Sequence, residues 1–382
     1  MHARKFNVVT DGQWGSCGKG LITTALAVKH RPEVISTTNM ANAGHTAVYD
    51  DGQKFIAKAL PSASILHKWL KEYDPYIVVG PSAAFDLSQM LHEIDHCGVS
   101  DLTVIHPRAG VITDTHKQAE NQGASSTKHI ASTMQGCGTF LADKVLRKPE
   151  LKLARNYQEL SAYVGDRLVK ATEKISNKKE LAFPQALQAL MAGGWTIIHE
   201  GSQGFSLDIN HGSHYPQCTS RGTTAMQNAA DMGVNHLYIG DVYLVIRPYP
   251  IRVGNVIENG NMVGYSGDCY SDHREMTWAE VAQEAGAPEE VMQGELTTVT
   301  KRLRRVFTFS AQQLAEAVVA NGATKIALNF ANYIDWTCFG VNDFGALSPK
   351  IRQFISKVED IAGIPVTVVG TGPQTNHVCY LE

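Results

Sequence analysis

The chain has 382 residues, of which 43% are hydrophobic and 19% are charged, and its formal net charge is -3. This composition is typical of a soluble globular enzyme with ample core, and the weak net charge gives no field that would attract nucleic acid or a membrane. Seven scattered cysteines, without a Cys-x-x-Cys pair, indicate reduced thiols in a cytoplasm. We expect neither a signal peptide nor a membrane-spanning segment, because the apolar stretches are too short.

Short β-branched runs bounded by Gly, Pro or Asp recur along the chain and predict strands. In chain order the predicted strands are residues 6–10, 76–79, 102–105, 195–199, 237–239, 325–330 and 365–369. Helical patterns lie between them at residues 85–96, 157–176 and 310–320. Alternating strands and helices predict an α/β fold with a central, mostly parallel sheet flanked by helices. No repeat or linker is evident, so residues 1–382 are expected to form a single domain with large insertions.

A glycine-rich turn with a lysine follows the first predicted strand, at residues 11–20. Glycines allow backbone N–H groups to approach phosphate oxygens, and Lys19 adds positive charge. The P-loop pattern is matched imperfectly, since one extra residue separates Gly12 from Gly18 and Gly20 stands where Ser or Thr would bind magnesium. The coincidence of four glycines, a lysine and a preceding strand favours a P-loop-like nucleotide-binding fold over an ordinary tight turn.

Three further loops carry polar residues that suit a ligand. Residues 42–46 could present a backbone carbonyl to a metal and His45 to a developing charge, although a hydrogen-bonded turn histidine explains them equally well. Ser132 and Thr133 open a stretch with two glycines that suits a phosphate, with a plain polar loop as an equal alternative. Residues 200–204 directly follow a predicted strand, where ligand-binding loops occur.

Two charged segments have different interpretations. Residues 298–305 hold two hydroxyls and four cations within eight residues. Such a run is usually a solvated face, but arginine forks also suit a carboxylate or phosphate substrate. Residues 92–96 match the His-Glu-x-x-His zinc pattern, but the same helix carries an ordinary apolar stripe and no third ligand follows. We interpret His92 and His96 as a coincidental match.

In order and along nearly the whole chain, these motifs resemble adenylosuccinate synthetase, a ligase of the purine pathway. The loop Gln-Trp-Gly-Asp-Glu-Gly-Lys-Gly of that family corresponds to residues 13–20, with Ser16 and Cys17 in place of the two acidic residues. The motif Asn-Ala-Gly-His-Thr is intact at residues 42–46, and Gly-x-Gln-Gly-x-x-Leu-Asp-Ile-x-His-Gly is present at 201–212. The aspartate loop corresponds to 298–305, with Lys301 for a glycine, and Thr-Gly-Pro to 371–373.

The resemblance implies a site for three small molecules and Mg²⁺, with Ser16, Lys19 and His45 at the catalytic centre. The nucleoside triphosphate would be held by Gly15, Ser16, Cys17, Gly18, Lys19, Gly20, Gly44, His45, Thr46, Asn329, Asn332, Gly370, Thr371, Gly372 and Pro373. The substrate nucleotide would be surrounded by Ser16, Asn42, Ser132, Thr133, Arg147, Gln203, Thr219, Val253 and Arg302. The amino acid would be received by Val299, Thr300, Arg302 and Arg304, and the metal by Ser16 and the Gly44 carbonyl. Arg147 would reach into the site of the partner subunit in a homodimer.

Two departures from the family pattern bear on the substrate. Ser16 stands at the catalytic aspartate, and a neutral hydroxyl cannot act unassisted as the base that takes the purine N1 proton. Phe330 and Asn332 stand where the family reads guanine of GTP with Lys-x-Asp, whereas an amide can pair with adenine. Both changes resemble a phage branch of the family, the 2-aminoadenylosuccinate synthetases, which use dGMP in place of IMP and ATP or dATP as donor.

Three interpretations of the chain therefore compete. The first is a ligase that condenses dGMP with L-aspartate to N6-succino-2-amino-2'-deoxyadenylate, for DNA in which diaminopurine replaces adenine. The second is an ordinary IMP-using adenylosuccinate synthetase, and the third is a catalytically inactive nucleotide-binding homologue. Retention of Lys19, His45, Gln203 and the arginine loop counts against the third. If the first holds, the protein would act in the host cytoplasm of a phage.

Overall fold

A sheet of nine strands lies at the centre of the structure, a computed structural model that describes residues 4–122, 126–165, 183–288, 290–297 and 301–381. The strands in chain order are β1 (Phe6–Asp11), β2 (Val34–Thr37), β3 (His45–Val48), β4 (Lys54–Ala57), β5 (Tyr76–Val79), β6 (Ala84–Asp86), β7 (Thr103–Ile105), β8 (Gly110–Ile112), β9 (Ile197–Glu200), β10 (Ile239–Ile246), β11 (Ile251–Arg252), β12 (Val256–Glu258), β13 (Asn261–Gly264), β14 (Glu275–Met276), β15 (Arg305–Phe307), β16 (Lys325–Leu328), β17 (Val366–Gly370) and β18 (Val378–Tyr380). The order across the central sheet is β18-β17-β16-β10-β1-β9-β2-β5-β7, and every neighbouring pair is parallel except β17 and β18.

Helices cover both faces of this sheet. The α-helices in the described residues are α1 (Lys19–His30), α2 (Leu66–Trp69), α3 (Leu87–Cys97), α4 (Asp114–Asn121), α5 (Cys137–Leu146), α6 (Phe183–Ala192), α7 (Ala225–Met232), α8 (Trp278–Ala285), α9 (Ala311–Asn321) and α10 (Pro349–Ala362). Side chains alternate across a strand, so Val8 packs into the core beneath α6, α7 and α9, while Val9 packs against α1 on the other face. Burial of both faces explains why the central strands are apolar runs without polar alternation. The predicted α/β fold is confirmed.

The functional loops collect at the carboxyl ends of the parallel strands. The segments after β1, β9, β10 and β16 meet at this edge, which is where ligands bind in open α/β sheets. The hairpin β3–β4 folds over the start of α1. A side chain at Gly20 would come within 2.7 Å of the Thr46 carbonyl oxygen in β3. The close packing of this hairpin is the reason that Gly20 replaces the usual Ser or Thr of a P-loop.

Most predicted elements are present with shifted ends, and two predictions were wrong. Residues 236–238 form a 3-10 turn, and the strand begins at Ile239 and continues to Ile246. The predicted helix at 157–176 does not form over its first part, because Val164 bridges to Ile105 at the edge of the sheet and the Tyr163 carbonyl accepts the Ile105 N–H at 2.9 Å. The rest of that segment, from residue 166, lies outside the described residues. No helix in the described part of the chain is long and apolar enough to cross a membrane.

Candidate active site

The loop after β1 is held in shape by the buried carboxylate of Asp11. Its Oδ1 accepts the backbone N–H groups of Gln13 at 2.8 Å and Gly15 at 3.1 Å, and Oδ2 accepts that of Cys17 at 3.0 Å. Gly18 has a φ of 83°, and a side chain there would come within 2.1 Å of the Asn329 amide. The loop is thus fixed before any ligand arrives and leads into the amino terminus of α1, a site that favours phosphate.

Lys19 joins the loops that follow β1 and β9. Its ammonium group is 1% exposed and donates to the carbonyl oxygens of Gln203 at 2.8 Å and Gly15 at 3.0 Å. Asp11 Oδ2 lies 3.4 Å from Nζ and balances the buried charge. The lysine therefore brings a positive charge to the point where the two loops meet.

His45 is oriented by a buried carboxylate at the end of β9. Its Nδ1 lies 2.6 Å from Oε1 of Glu200. The same Oε1 accepts the Ser62 N–H at 3.1 Å, and Oε2 accepts the Ser62 hydroxyl. Burial alone would raise the pKa of Glu200, but His45 and the Ser62 hydrogen bonds hold it below its usual range. Because Nδ1 is engaged, Nε2 is the ring atom that remains for a ligand. No sequence motif predicts this role for Glu200, although its place directly after a predicted strand is a signal.

A cavity of about 390 Å³ contains most of the residues expected around the substrate nucleotide. Of that set, the residues that line it are Asn42, Ser132, Thr133, Gln203, Thr219 and Val253. Glu120 also lines it and was not expected: its Oε1 accepts the Ser132 hydroxyl at 3.2 Å, and its Oε2 accepts the Gly136 N–H. Trp14 and Arg252 complete the wall, with Arg252 Cζ 5.0 Å from the centroid of the Trp14 ring. The cavity thus combines side-chain hydroxyl groups with apolar wall residues.

The remaining expected substrate contacts lie at the margins of this cavity. Arg302 donates to the carbonyl oxygens of Gly254 at 3.1 Å, Ala131 at 2.9 Å and Ser132 at 3.1 Å, so it ties the arginine-rich loop to the cavity wall. Arg147 is exposed and follows the last residue of α5. The structure does not bring Arg147 to the cavity of its own chain. Val299 and Thr300 lie outside the described residues.

A second cavity, of about 310 Å³, lies at the other end of the phosphate loop. Of the residues expected to bind the nucleoside triphosphate, it is lined by Gly18, Thr46, Asn329, Asn332, Gly372 and Pro373. The aromatic residues of its wall are Phe330, Tyr333, Trp336 and Phe339. Asn329 anchors the cavity to the loop, since its Nδ2 donates to the Cys17 carbonyl at 3.0 Å. Its size and aromatic wall suit a planar base; we call it the base cavity and the first one the substrate cavity.

Other residues expected at the triphosphate play supporting parts in the described structure. Cys17 is buried, its thiol contacts Gln13 Oε1 at 2.9 Å, and burial raises its pKa, so the thiol is protonated. Thr371 turns its hydroxyl inward to the Val341 carbonyl at 2.5 Å. Gly370 allows Asn329 to pack close, since a side chain there would come within 2.1 Å of Asn329 Oδ1. Gly15, Ser16 and Gly44 are partly exposed beside His45 and Lys19 in the chain.

The segment that matches a zinc pattern has a structural use. Glu93 is 1% exposed and accepts the backbone N–H groups of Lys58 at 2.7 Å and Leu60 at 2.8 Å. His96 stacks on Phe55 with ring centroids 5.6 Å apart. Within the described residues, no group of three or more His, Cys, Asp or Glu side chains is placed to hold a metal ion.

A fixed glycine-rich loop with a buried lysine, set between a cavity with hydroxyl groups and an aromatic cavity, is typical of a nucleotide-dependent enzyme. Comparison with known proteins identifies which kind: the adenylosuccinate synthetase family model matches residues 8–177 and 152–337. The chain belongs to the adenylosuccinate synthetase family and is a carbon–nitrogen ligase of purine biosynthesis.

Relatives occur in both branches of that family. The chain is 31% identical over 376 residues to the adenylosuccinate synthetase of Methanocaldococcus jannaschii, covering 98% of this chain and 96% of that protein. It is 34% identical over 386 residues to the N6-succino-2-amino-2'-deoxyadenylate synthase of Salmonella phage PMBT28, covering 98% and 97%. Among solved structures, it matches the succinoaminodeoxyadenylate synthetase of cyanophage S-2L, bound to dGMP and dATP, with a TM-score of 0.77, 29% identity and 99% and 95% coverage.

Proposed function

We propose that this protein condenses dGMP with L-aspartate to N6-succino-2-amino-2'-deoxyadenylate, driven by ATP or dATP. The observation that carries the proposal is Ser16 in a loop whose backbone is fixed on both sides. The neighbouring N–H groups of Gly15 and Cys17 bind Asp11, and the Ser16 carbonyl accepts from Arg247 at 3.2 Å. The loop cannot move away to accommodate a larger base, so the size and charge of the side chain at position 16 govern the space beside the purine. A short, neutral side chain leaves room for the 2-amino group of guanine. The phage relatives that share the chain's full length support the same substrate.

The chemistry has two steps, and the residues of the phosphate loop serve the first. The γ-phosphoryl group passes to the 6-oxygen of the guanine ring, and ADP or dADP is released. Lys19 and the amino terminus of α1 balance the charge of the phosphates, and His45 offers Nε2 to the transferring group because Glu200 holds Nδ1. In the second step the aspartate amine attacks C6 and phosphate leaves. The N1 proton goes to an acceptor other than position 16, because a serine hydroxyl is not a base at neutral pH.

Magnesium fits the oxygen atoms that the chain offers. The Asp11 carboxylate is occupied by three backbone N–H groups and Lys19. The family resemblance assigns the metal to the Ser16 hydroxyl and the Gly44 carbonyl, which would hold it here. These are hard, neutral ligands, and Mg²⁺ is usually bound by few protein groups together with phosphate oxygens and water. When bound, the ion would neutralise the β- and γ-phosphate oxygens during transfer.

An adenine nucleotide is the donor we propose. Asn332 is 3% exposed and lines the base cavity, where its amide can give one hydrogen bond to an adenine edge and accept another. Phe330 stands where the family has the lysine of its guanine-binding Lys-x-Asp pair. The base cavity therefore has an aromatic ring at that position instead of a charged group. Both features favour ATP or dATP over GTP.

Steady-state assays with IMP, GMP and dGMP side by side test the proposal. We expect dGMP to give the highest kcat/KM and the product to carry a succinyl group on a 2-aminopurine deoxynucleotide, as determined by mass spectrometry. Equal or better kcat/KM with IMP would instead assign the protein to ordinary adenylosuccinate synthesis, the function of its archaeal relatives. A folded protein without turnover on any of the three would make it an inactive homologue.

We also propose that the enzyme works as a homodimer in which Arg147 completes the substrate site of the partner subunit. Arg147 projects from the end of α5 beside two exposed apolar side chains, Val145 and Leu146, which are 74% and 67% exposed. Such apolar exposure next to a cation is typical of a protein contact surface. Mixing Arg147→Ala protein with His45→Asn protein should restore activity, because a mixed dimer can contain one complete site. No recovery after demonstrated subunit exchange would show that Arg147 acts within its own chain or not at all.

A further inference from the structure

A buried arginine directly after β10 connects the phosphate loop with a distant carboxylate. Arg247 is 0% exposed, and its Nη1 donates to the Ser16 carbonyl at 3.2 Å. Nη1 and Nη2 also hold the two carboxylate oxygens of Glu295 at 3.2 and 2.5 Å. A bidentate pair of this kind fixes both the distance and the relative orientation of its partners.

The flat face of the same guanidinium lies against the wall of the base cavity. Arg247 Cζ is 3.9 Å from the ring centroid of Phe330 and 5.4 Å from that of Tyr333. The Tyr333 hydroxyl donates to Glu295 Oε1 at 3.2 Å. Phe330 and Tyr333 both line the base cavity. A base that enters this cavity therefore packs on rings that contact the Arg247–Glu295 pair directly.

Glu295 in turn stands at the start of the arginine-rich loop. Its backbone carbonyl accepts the N–H of Arg304 at 2.9 Å, and the Thr297 N–H donates to the Arg302 carbonyl at 2.9 Å. Leu296 and Leu303 form a bridge between the same two segments. Residues 295–297 and 302–304 thus run side by side, so the position of Glu295 sets the position of the two arginines expected at the amino acid.

We propose that Arg247 and Glu295 are positioning residues that make the amino-acid loop respond to the nucleotide base. A base in the base cavity fixes the rings of Phe330 and Tyr333. These two rings hold the Arg247 guanidinium and the Glu295 carboxylate in bidentate geometry. The backbone of the arginine-rich loop is thereby placed to receive the amino acid. Bound nucleotide then raises the affinity for aspartate, and aspartate raises the affinity for nucleotide by the same factor. The inference rests on the proposed function only for the identity of the two ligands.

Stability alone does not explain this pair. Desolvation would raise the pKa of Glu295, but the Arg247 guanidinium holds it below its usual range, so a fully buried cation faces an ionised, partly buried carboxylate. Removing two ions from water costs free energy, and their mutual attraction often does no more than offset that cost. Apolar residues of similar size would often give a protein that is equally stable. A second Arg–Glu pair provides the comparison: Arg305 holds Glu275 at 2.8 and 2.6 Å across β14 and β15, and neither residue lines the base cavity.

Calorimetry at saturating dGMP tests the coupling directly, with aspartate titrated in the presence and absence of a non-hydrolysable ATP analogue. In the unmodified protein we expect the analogue to tighten aspartate binding by about 5- to 150-fold, the usual range for coupled sites. In Glu295→Gln and Arg247→Met the factor should fall close to one. In Glu295→Gln, which leaves the Arg247 contact with the Ser16 carbonyl in place, the dGMP affinity should change less than about twofold. Glu275→Gln, which breaks the control pair, should keep the full factor. Arg247→Lys should restore part of it, because the charge is kept but the bidentate fork is lost.

The outcomes separate the coupling from the reaction and from simple destabilisation. If the unmodified protein makes no product from dGMP, the proposed function fails, and the same titration is run with the purine monophosphate that does support turnover. Full coupling in both Glu295→Gln and Arg247→Met would overturn the inference. A rise in the KM of all three substrates that parallels a loss of thermal stability would also overturn it. Tyr333→Phe removes only the hydroxyl that contacts Glu295, so it gives a readout even if the charge variants do not fold. It should lower the coupling factor without changing the melting temperature.

Discussion

The base cavity and the substrate cavity share one phosphate loop, yet the chain builds them in different ways. From this loop, Gly18 lines the base cavity and Trp14 lines the substrate cavity. Asn329 and Phe330, which wall the base cavity, directly follow the central strand β16. The hydroxyls of Ser132 and Thr219, in the substrate cavity, come from long insertions outside the sheet. A cavity anchored on strand ends is fixed by the core, whereas one made of insertions can change its substrate without disturbing the fold. We therefore expect substitutions in one cavity to leave the selectivity of the other intact, and substitutions in the shared loop to impair both.

The largest effect is expected from Lys19→Met, in the shared loop. The change removes the only charge that balances Asp11 in the described contacts of that carboxylate and leaves it buried. Loss of one partner of a buried pair destabilises a protein by about 3–5 kcal/mol. Urea unfolding should show this loss, and turnover with every purine monophosphate and donor should fall together. A variant of normal stability, impaired with only one substrate, would contradict the shared role.

His45→Asn should impair chemistry with little effect on either cavity. The asparagine amide can still contact Glu200, but the group that corresponds to Nε2 is lost. Removal of one preorganised donor lowers kcat by about 10²- to 10³-fold. Single-turnover kinetics should show a slow phosphoryl step at unchanged Kd for dGMP and ATP. A weaker Kd with normal kcat would place His45 in binding instead of catalysis.

Ser16→Asp tests the purine selectivity that we assign to the shared loop. The added carboxylate would crowd the 2-amino group of guanine, so kcat/KM for dGMP should fall relative to IMP by about 10- to 200-fold, as for a steric difference of one small group. The preference for ATP over GTP should not change. Competition assays with paired substrates measure both ratios. If dGMP activity survives intact, crowding at C2 is not the reason for the serine.

Asn332→Asp tests the base cavity alone and is expected to have the smallest effect. A carboxylate accepts the paired N–H donors of guanine, and a bidentate contact to a base edge is worth about 1–3 kcal/mol of discrimination. The ratio of kcat/KM for ATP to that for GTP should therefore fall by about one to two orders of magnitude. The order of preference among dGMP, GMP and IMP should stay as in the unmodified protein. A preference for GTP in the unmodified enzyme would already contradict the proposed donor.

Much of the site could be predicted because its residues are local in the chain. The glycine-rich loop after an apolar strand, and the run from Asn42 to Thr46, carry their chemistry in consecutive residues. Six of the nine residues assigned to the substrate nucleotide line the substrate cavity, and six of the fifteen assigned to the triphosphate line the base cavity. The predicted strands at residues 76–79 and 325–330 have ends close to the observed ones. An apolar β-branched run favours a strand by its local composition, and it is also what a buried position in the sheet requires. The failed helix at 157–176 shows the limit, because pairing of Val164 with the sheet edge overrides a helical pattern.

What the sequence by itself determined is therefore the class of fold, the phosphate loop and the residue types offered to each ligand. Only the tertiary structure decided which carboxylate serves which partner. Glu200 meets His45 across 155 residues, and Glu295 meets Arg247 across 48. No local pattern marks these pairs, because a carboxylate is buried only where packing from several segments removes water and supplies a cation or N–H groups. For the same reason Gly20 looked like a departure from a motif, whereas the hairpin packed on α1 shows it to be a steric requirement.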